Sequence, residues 1–295
     1  MSETLAALRH KITSAGELQS VVHSMKALAA ASIGQYERSV SALADYDRAV
    51  SLGLGECLRQ ARAAPAPPEP PPRGDAKWLG AVVIGSDQGL VGQFNDVLAE
   101  HAAATLAALP GTPQVWAVGE RIHARLADAG LQVVGHYGVP NSVDAIAPLV
   151  GQIQIDAETH RARLDYTRHY VFHNRPLAGS LYESVGRRML PLDASWQQTM
   201  AAVAWPRNAL PEVFGGGAAT LRALVREYLF ISLFRACAES LASENASRLA
   251  AMERADRNIR ELLDTMNGRF QRLRQGAIDA ELFDVVAGYE ALTKA

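Results

Sequence analysis

The stretch AATLRALVREYLFISLFRACAESLASENASRLAAMERADRNIRELLDTMNGRFQRLRQGAIDAELFDVVAGY, residues 218–289, decides the fold. It contains no proline, and Ala242, Asn245, Leu249, Met252, Ala255, Ile259, Leu262, Met266, Phe270, Leu273 and Ala277 follow one another in steps of three or four. Steps averaging about 3.5 residues are the period of a helix seam that wraps on a partner helix. At about 1.5 Å per residue, a helix of roughly 70 residues is roughly 105 Å long, more than a domain of this size can surround. Much of it is therefore expected to project.

The partner is expected from the other end of the chain. Leu5, Leu8, Ile12, Ala15, Leu18, Val22, Met25, Ala29, Ser32, Tyr36, Val40, Leu43, Asp47, Val50, Leu54 and Cys57 repeat the same alternation, and all fourteen prolines lie between Pro65 and Pro211. Ser2 or Thr4 is the expected N-cap, with Glu3 favourable at the positive helix end. Gly16, Gly34, Gly53 and Gly55 each weaken such a helix by about 1 kcal/mol relative to alanine, so it needs tertiary support. An antiparallel coiled coil of the two terminal helices supplies it.

Composition narrows the class. A hydrophobic content of 48% with 20% charged residues is that of a soluble globular protein, and a net charge of −2 offers no general attraction to nucleic acid. Aromatic residues are only 6% while alanine is abundant, which suits closely packed helices more than an aromatic-filled core. The two cysteines, Cys57 and Cys237, are too few for a disulfide framework or a metal site and read as reduced, buried small hydrophobes, with a redox-sensitive pair as the alternative. No apolar run approaches the roughly 18 residues of a membrane span, and MSETLAALRHK lacks the order of a signal peptide. A cytosolic chain is expected, one able to dock onto something in a membrane.

Between the helices the rhythm changes. APAPPEPPPRG, with six prolines in eight positions from Pro65 to Pro72, reads as an extended polyproline spacer. WLGAVVI, QVWAV, LQVVGHY and RLDYTRHYVFHN read as strands. Helices are expected at about 92–109, 120–129 and 142–161, and a last strand within Gln197 to Trp205. Strands alternating with helices imply a Rossmann-like, mostly parallel open sheet. The expected organisation is an N-terminal coiled-coil helix at 1–60, a Pro-rich linker at 61–77, an α/β domain at 78–211 and a C-terminal coiled-coil helix at 218–290.

Candidate chemistry is sparse. GSDQGLVGQFN, Gly85 to Asn95, sits on a strand-to-helix turn that could cradle a phosphate. Its spacing is neither of the two common phosphate-loop patterns, and it has no lysine, so a structural turn is the better reading. His169 and His173 fall four apart in a strand, about 13 Å apart on one face, too far to share a metal. No catalytic residue, cofactor site or metal site is assigned. Between Arg248 and Gly276 seven arginines face four acids, Glu253, Asp256, Glu261 and Asp264, a net of +3. These are expected to form a solvated face with intrahelical pairs, or, on a projecting helix, to meet an acidic partner.

ESLASENASRLAAM (Glu239 to Met252), RQGAIDAELFDVVAG (Arg274 to Gly288), SDQGLVGQFN (Ser86 to Asn95) and MLPL (Met189 to Leu192) together resemble the gamma subunit of the F-type ATP synthase, in order and over both termini and the middle. Departures stand beside the match. Val21, Val22, His23, Ser24 and Met25 replace the family's I-T-K-A-M, losing a basic position and keeping the methionine. Val91, Asp279 and Tyr289 stand where the family has cysteine, threonine and alanine. With the proline-rich spacer, these point to a divergent branch or an alternate F-type complex.

The resemblance implies a central rotor shaft that is not itself catalytic. In this reading the coiled coil enters a ring of alpha and beta subunits, and the α/β domain forms a foot on the membrane c-ring with the epsilon subunit. The rotor then couples ion flow to rotary ATP synthesis or hydrolysis, peripheral on the cytoplasmic face of a bacterial plasma (inner) membrane. Carried over by motif, the residues that couple to beta are Met25, Arg248, Arg274 and Gln275. Two other classes stay open on sequence grounds: an enzyme binding a nucleotide at its strand-to-helix turns, and a symmetric coiled-coil tether.

Overall fold

The computed structural model describes residues 4–63, 78–164, 168–177, 180–206, 211 and 217–293. The expected cap at Ser2, Glu3 and the proline-rich stretch 64–74 lie outside the described residues. In chain order the elements are α1 (Leu5–Ala63), β1 (Trp78–Ile84), α2 (Phe94–Ala107), β2 (Thr112–Val118), α3 (Glu120–Asp128), β3 (Val133–Tyr137), α4 (Ile146–Leu164), β4 (Arg168–Leu177), β5 (Ser180–Leu190), α5 (Ala194–Ala201) and α6 (Gly217–Thr293). Thr4 meets the start of α1 through its Oγ1, which accepts from Ala7 N at 3.3 Å. The chain forms two compact units, Met1–Ala29 with Arg248–Ala295, and Ala30–Ser247.

The unit 30–247 is built on a five-stranded sheet of order β3-β2-β1-β4-β5. The pairs β1–β2, β1–β4 and β2–β3 are parallel, and β5 is added antiparallel to β4 at one edge. β1 is covered on both faces, which is why WLGAVVI is apolar throughout instead of alternating. Leu79, Ala81 and Val83 pack under α2 and α3 with Phe172. Val82 and Ile84 pack on the other face with Trp116, the α4 residues Ile146, Val150 and Ile153, the α6 residues from Leu233 to Ala242, and Tyr36 of α1. Further along these helices Val50, Leu54 and Ile231 form a smaller cluster beside Trp196 of α5. There Gly55 has a specific reason to be glycine: a Cβ would stand 2.7 Å from the Met200 carbonyl oxygen.

Two sequence expectations are corrected in this unit. The last strand lies at Ser180–Leu190, not within 197–205, where α5 stands instead. Asp193 starts that helix by accepting a hydrogen bond from Trp196 N at 2.9 Å. β5 hides from pattern reading because it is an edge strand: of Leu181 to Leu190 only Met189 is buried, so no apolar alternation marks it. β4 begins at Arg168, because α4 continues to Leu164 through residues the sequence reading gave to the strand.

In the other unit, residues 5–29 of α1 run antiparallel to α6. Lys26 lies beside Glu253 at 3.7 Å and His23 beside Asp256 at 2.9 Å, so numbers rise on one helix as they fall on the other. Val22, Met252 and Ile259 are buried together, with Met25, Ala251, Ala255 and Leu263 packed around them. The expected seam holds at Leu8, Val22, Ala29, Met252, Ile259 and Met266, all buried. It fails at Leu273, 41% exposed, and at Leu18 and Leu262, which are 53% and 51% exposed. Gln19 and Asp256 turn inward in that layer, and Asp256 is only 3% exposed. A carboxylate was expected on the solvated face, because burying an unpaired charge is costly. Here three side-chain donors satisfy it.

Candidate coupling surface

The strand-to-helix turn Gly85–Asn95 is closed on itself. Ser86 N donates to Asn95 Oδ1 at 3.0 Å, and Asn95 Nδ2 donates to Ser86 Oγ at 2.8 Å, which in turn donates to the Gln88 carbonyl. Asp87 takes Glu120 N on one carboxylate oxygen and Val139 N on the other, each at 2.9 Å. Gly85 is required for this closure, since a Cβ there would lie 2.4 Å from Ile122 Cβ and 2.6 Å from Asn95 Oδ1. Ser86 N, Glu120 N and Val139 N are thus committed, and a carboxylate sits where an anion would approach the start of α3.

The crevice beyond the carboxyl ends of β1 and β4, where an open α/β sheet usually receives a ligand, is also occupied by the chain. Ser240 Oγ of α6 donates to the Ile84 carbonyl at 2.8 Å, and Glu239 Oε2 accepts from His173 Nε2 at 2.8 Å. His169 and His173 are both buried, as core residues of β4. His169 stands near the Trp116 ring, with centroids 5.9 Å apart, and His173 is tied to α6. Cys57 and Cys237 are free, buried thiols; burial pushes the Cys237 thiol up to about 12, so it is held as a neutral apolar group.

The four residues expected to couple do not form one cluster. Met25 is half-buried against Val22 and Met252. Arg248 is half-buried on α6, one helical turn before Met252. Arg274 and Gln275 are exposed, and 26 residues of helix place Arg274 about 39 Å from Arg248 along the axis. The structure thus shows two levels on one helix. At the second level Arg274 lines an open recess with Arg9, His10 and Phe270. Arg9 and His10 were not singled out from the sequence; their signal was the antiparallel register, which brings residue 9 opposite residue 270. Beyond Arg274, α6 shows solvent the large apolar residues Ile278, Leu282, Phe283, Val285, Val286 and Tyr289.

Next to the first level lies the polar layer that sequence reading also missed. Asp256 Oδ1 accepts from Gln19 Nε2 at 3.2 Å and His23 Nε2 at 2.9 Å, and Oδ2 accepts from Arg260 Nη2 at 2.5 Å. Burial pushes the Asp256 carboxyl up, but the bonds from Gln19 and His23 and the charge of Arg260 outweigh it, and it titrates below the ordinary carboxylate value. A usable signal existed: Gln19 and His23 are four apart, on one face of α1.

Two long helices around an inserted, mostly parallel sheet define a central-stalk subunit, and comparison with known proteins agrees. A family model described as ATP synthase matches residues 4–292. The ATP synthase gamma chain of Salinibacter ruber is 28% identical over 97% of this chain and 97% of its own length. That of Moorella thermoacetica is 26% identical over 97% of this chain and 98% of its own. Among solved structures, a chain of the Euglena gracilis mitochondrial ATP synthase, in an OSCP/F1/c-ring assembly, shares the fold with a TM-score of 0.61 at 15% identity, over 98% of this chain and 94% of that one. The chain belongs to the ATP synthase family, as a gamma-type central rotor shaft.

Proposed function

We propose that this rotor couples ion flow through a membrane c-ring to ATP synthesis and hydrolysis in a ring of alpha and beta subunits, without being catalytic itself. The observation that carries the reading is the family match across residues 4–292. Residues 1–60 and 218–290 act as the shaft, 61–77 as a spacer, and 78–211 as the foot that meets the epsilon subunit and the c-ring. The foot sits on the cytoplasmic face of a bacterial inner membrane; among the described residues no helix is long and apolar enough to cross one.

Met25, Arg248, Arg274 and Gln275 are the contacts with beta. Driving a two-state site from 1:99 to 99:1 takes about 5.5 kcal/mol of differential interaction. Hydrogen bonds to charged groups contribute about 1.5–3 kcal/mol each, so a few contacts made on one face of the shaft suffice. Exposed Arg274, with Arg9 and His10 around the same recess, offers several donors to a carboxylate, and its guanidinium can do so in bidentate fashion. The closed turn at Gly85–Asn95 favours this reading over a nucleotide-binding enzyme.

The test is ATP-driven ion pumping by the assembled complex in vesicles, measured beside its ATPase rate. Arg248→Ala and Gln275→Ala are expected to lower pumping per ATP severalfold with the complex still assembled, and Arg274→Lys to do so less. Wild-type pumping per ATP in both alanine variants contradicts the assignment.

A further inference from the structure

We propose that Asp256 is a positioning residue for coupling: a polar layer, Gln19–His23–Asp256–Arg260, centred on the buried Asp256 carboxylate, locks the register of the two shaft helices beside Met25. The proposal rests on the rotor reading above. Its basis is the departure of the seam from apolar packing beside Met25. Leucines are available on both helices, at positions 18 and 262, yet both face solvent while Gln19 and Asp256 turn in. Apolar side chains interdigitate almost equally well after a slip of one layer. A carboxylate with two donors on the opposite helix does not.

The geometry fits a lock that resists sliding and unwinding. Gln19 and His23 reach the same oxygen, Oδ1, from successive turns of α1, at 3.2 and 2.9 Å. Arg260 holds Oδ2 from one turn along α6, leaving its own side chain 58% exposed. One turn from Gln19–His23, Lys26 and Glu253 lie 3.7 Å apart with neither side chain buried, whereas the bonds to Asp256 end on a carboxylate only 4% exposed, so the Lys26–Glu253 contact is too solvated to set register alone. Met25 and Val22 share the hydrophobic cluster of Met252 and Ile259, the residues that flank Asp256 on its own helix. A shift of α1 by one layer moves Met25 relative to Met252 and to Arg248, one turn before it. The layer's contribution is thus to where the coupling residues stand, over and above how strongly the helices pair.

That separation makes the role testable in the full reconstituted complex. Asp256→Leu replaces the buried carboxylate by an apolar side chain of similar size, and because the His23 and Arg260 side chains it leaves behind are more than half exposed and can turn to water, the loss of pairing stability is expected to be small. The lock predicts an unfolding midpoint only slightly lowered with pumping per ATP at least about fivefold lower, while Asp256→Asn, which keeps an acceptor for Gln19 and His23, pumps close to wild type. Should Asp256→Leu not assemble, the pair Gln19→Leu with His23→Leu removes the same tie from the half-exposed side, and the same loss of pumping is expected. Wild-type pumping per ATP in whichever of these assembles overturns the proposal. A wild-type chain that itself fails to pump in the complex overturns the rotor reading instead, so the two failures are distinguishable.

Discussion

The two units bury polar groups to different ends. Around the sheet, several buried polar side chains serve the backbone, beside the side-chain pair His173–Glu239: Asn95 holds Ser86 N, Asn174 Nδ2 donates to the Phe94 carbonyl, and Ser240 Oγ donates to the Ile84 carbonyl. They fix where loops and helix meet the strand ends, and the large apolar clusters on both faces provide the stability. In the unit formed by 5–29 and 248–293 the buried carboxylate is satisfied by side chains alone, from two helices, amid a thin apolar cluster. One region uses polarity to complete a core, the other to choose among nearly equivalent packings. Loss of a group in the first is expected to appear as unfolding, and in the second as misplacement.

The largest effect is expected in the sheet. Phe172 is fully buried on β4 between α2 and its neighbours in that cluster, and Phe172→Ala is expected to lower stability by about 3–5 kcal/mol. Chemical denaturation of the chain measures it directly. A loss no greater than that of Asp256→Leu erases the contrast between the units.

A smaller effect sharpens the contrast through pH. The hydrogen bond from Trp196 N, helped by Ser195 and Arg188, holds the Asp193 carboxyl at about 2, against an ordinary 3.8. A depressed folded value means that the stabilisation is complete above about pH 4 and is lost as pH falls toward about 2. Asp256, also lowered, adds to the same acid-side slope with the same sign. Asp193→Asn is therefore expected to flatten part of the decline in thermal midpoint below pH 4 and leave pumping at neutral pH unchanged. An unaltered acid slope counts against the cap.

Much of this was legible because the long helices declare themselves by proline exclusion and by period, and β1 by its unbroken apolar run. What escaped was set by long-range context. β5 carries no burial pattern, since as an edge strand it buries only Met189 among Leu181 to Leu190. The preference for Leu18 over Gln19 followed hydrophobicity, and only the partner's Asp256 makes the polar choice favourable. The coupling residues came from motif resemblance, whereas the recess with Arg9 and His10 depends on which turns of the two helices face each other. His23 shows both limits: a substituted basic position in sequence, a direct partner of the buried acid in structure.

This chain is assigned the place of the rotor in a rotary ATPase. The most direct test of that place is reconstitution of the purified chain with alpha and beta subunits, following assembly by mass and turnover by ATPase activity. One copy of the chain in a ring of alternating subunits, with ATPase activity that depends on its presence, is the predicted result. A chain that stays apart from the ring, or that binds nucleotide alone, contradicts it.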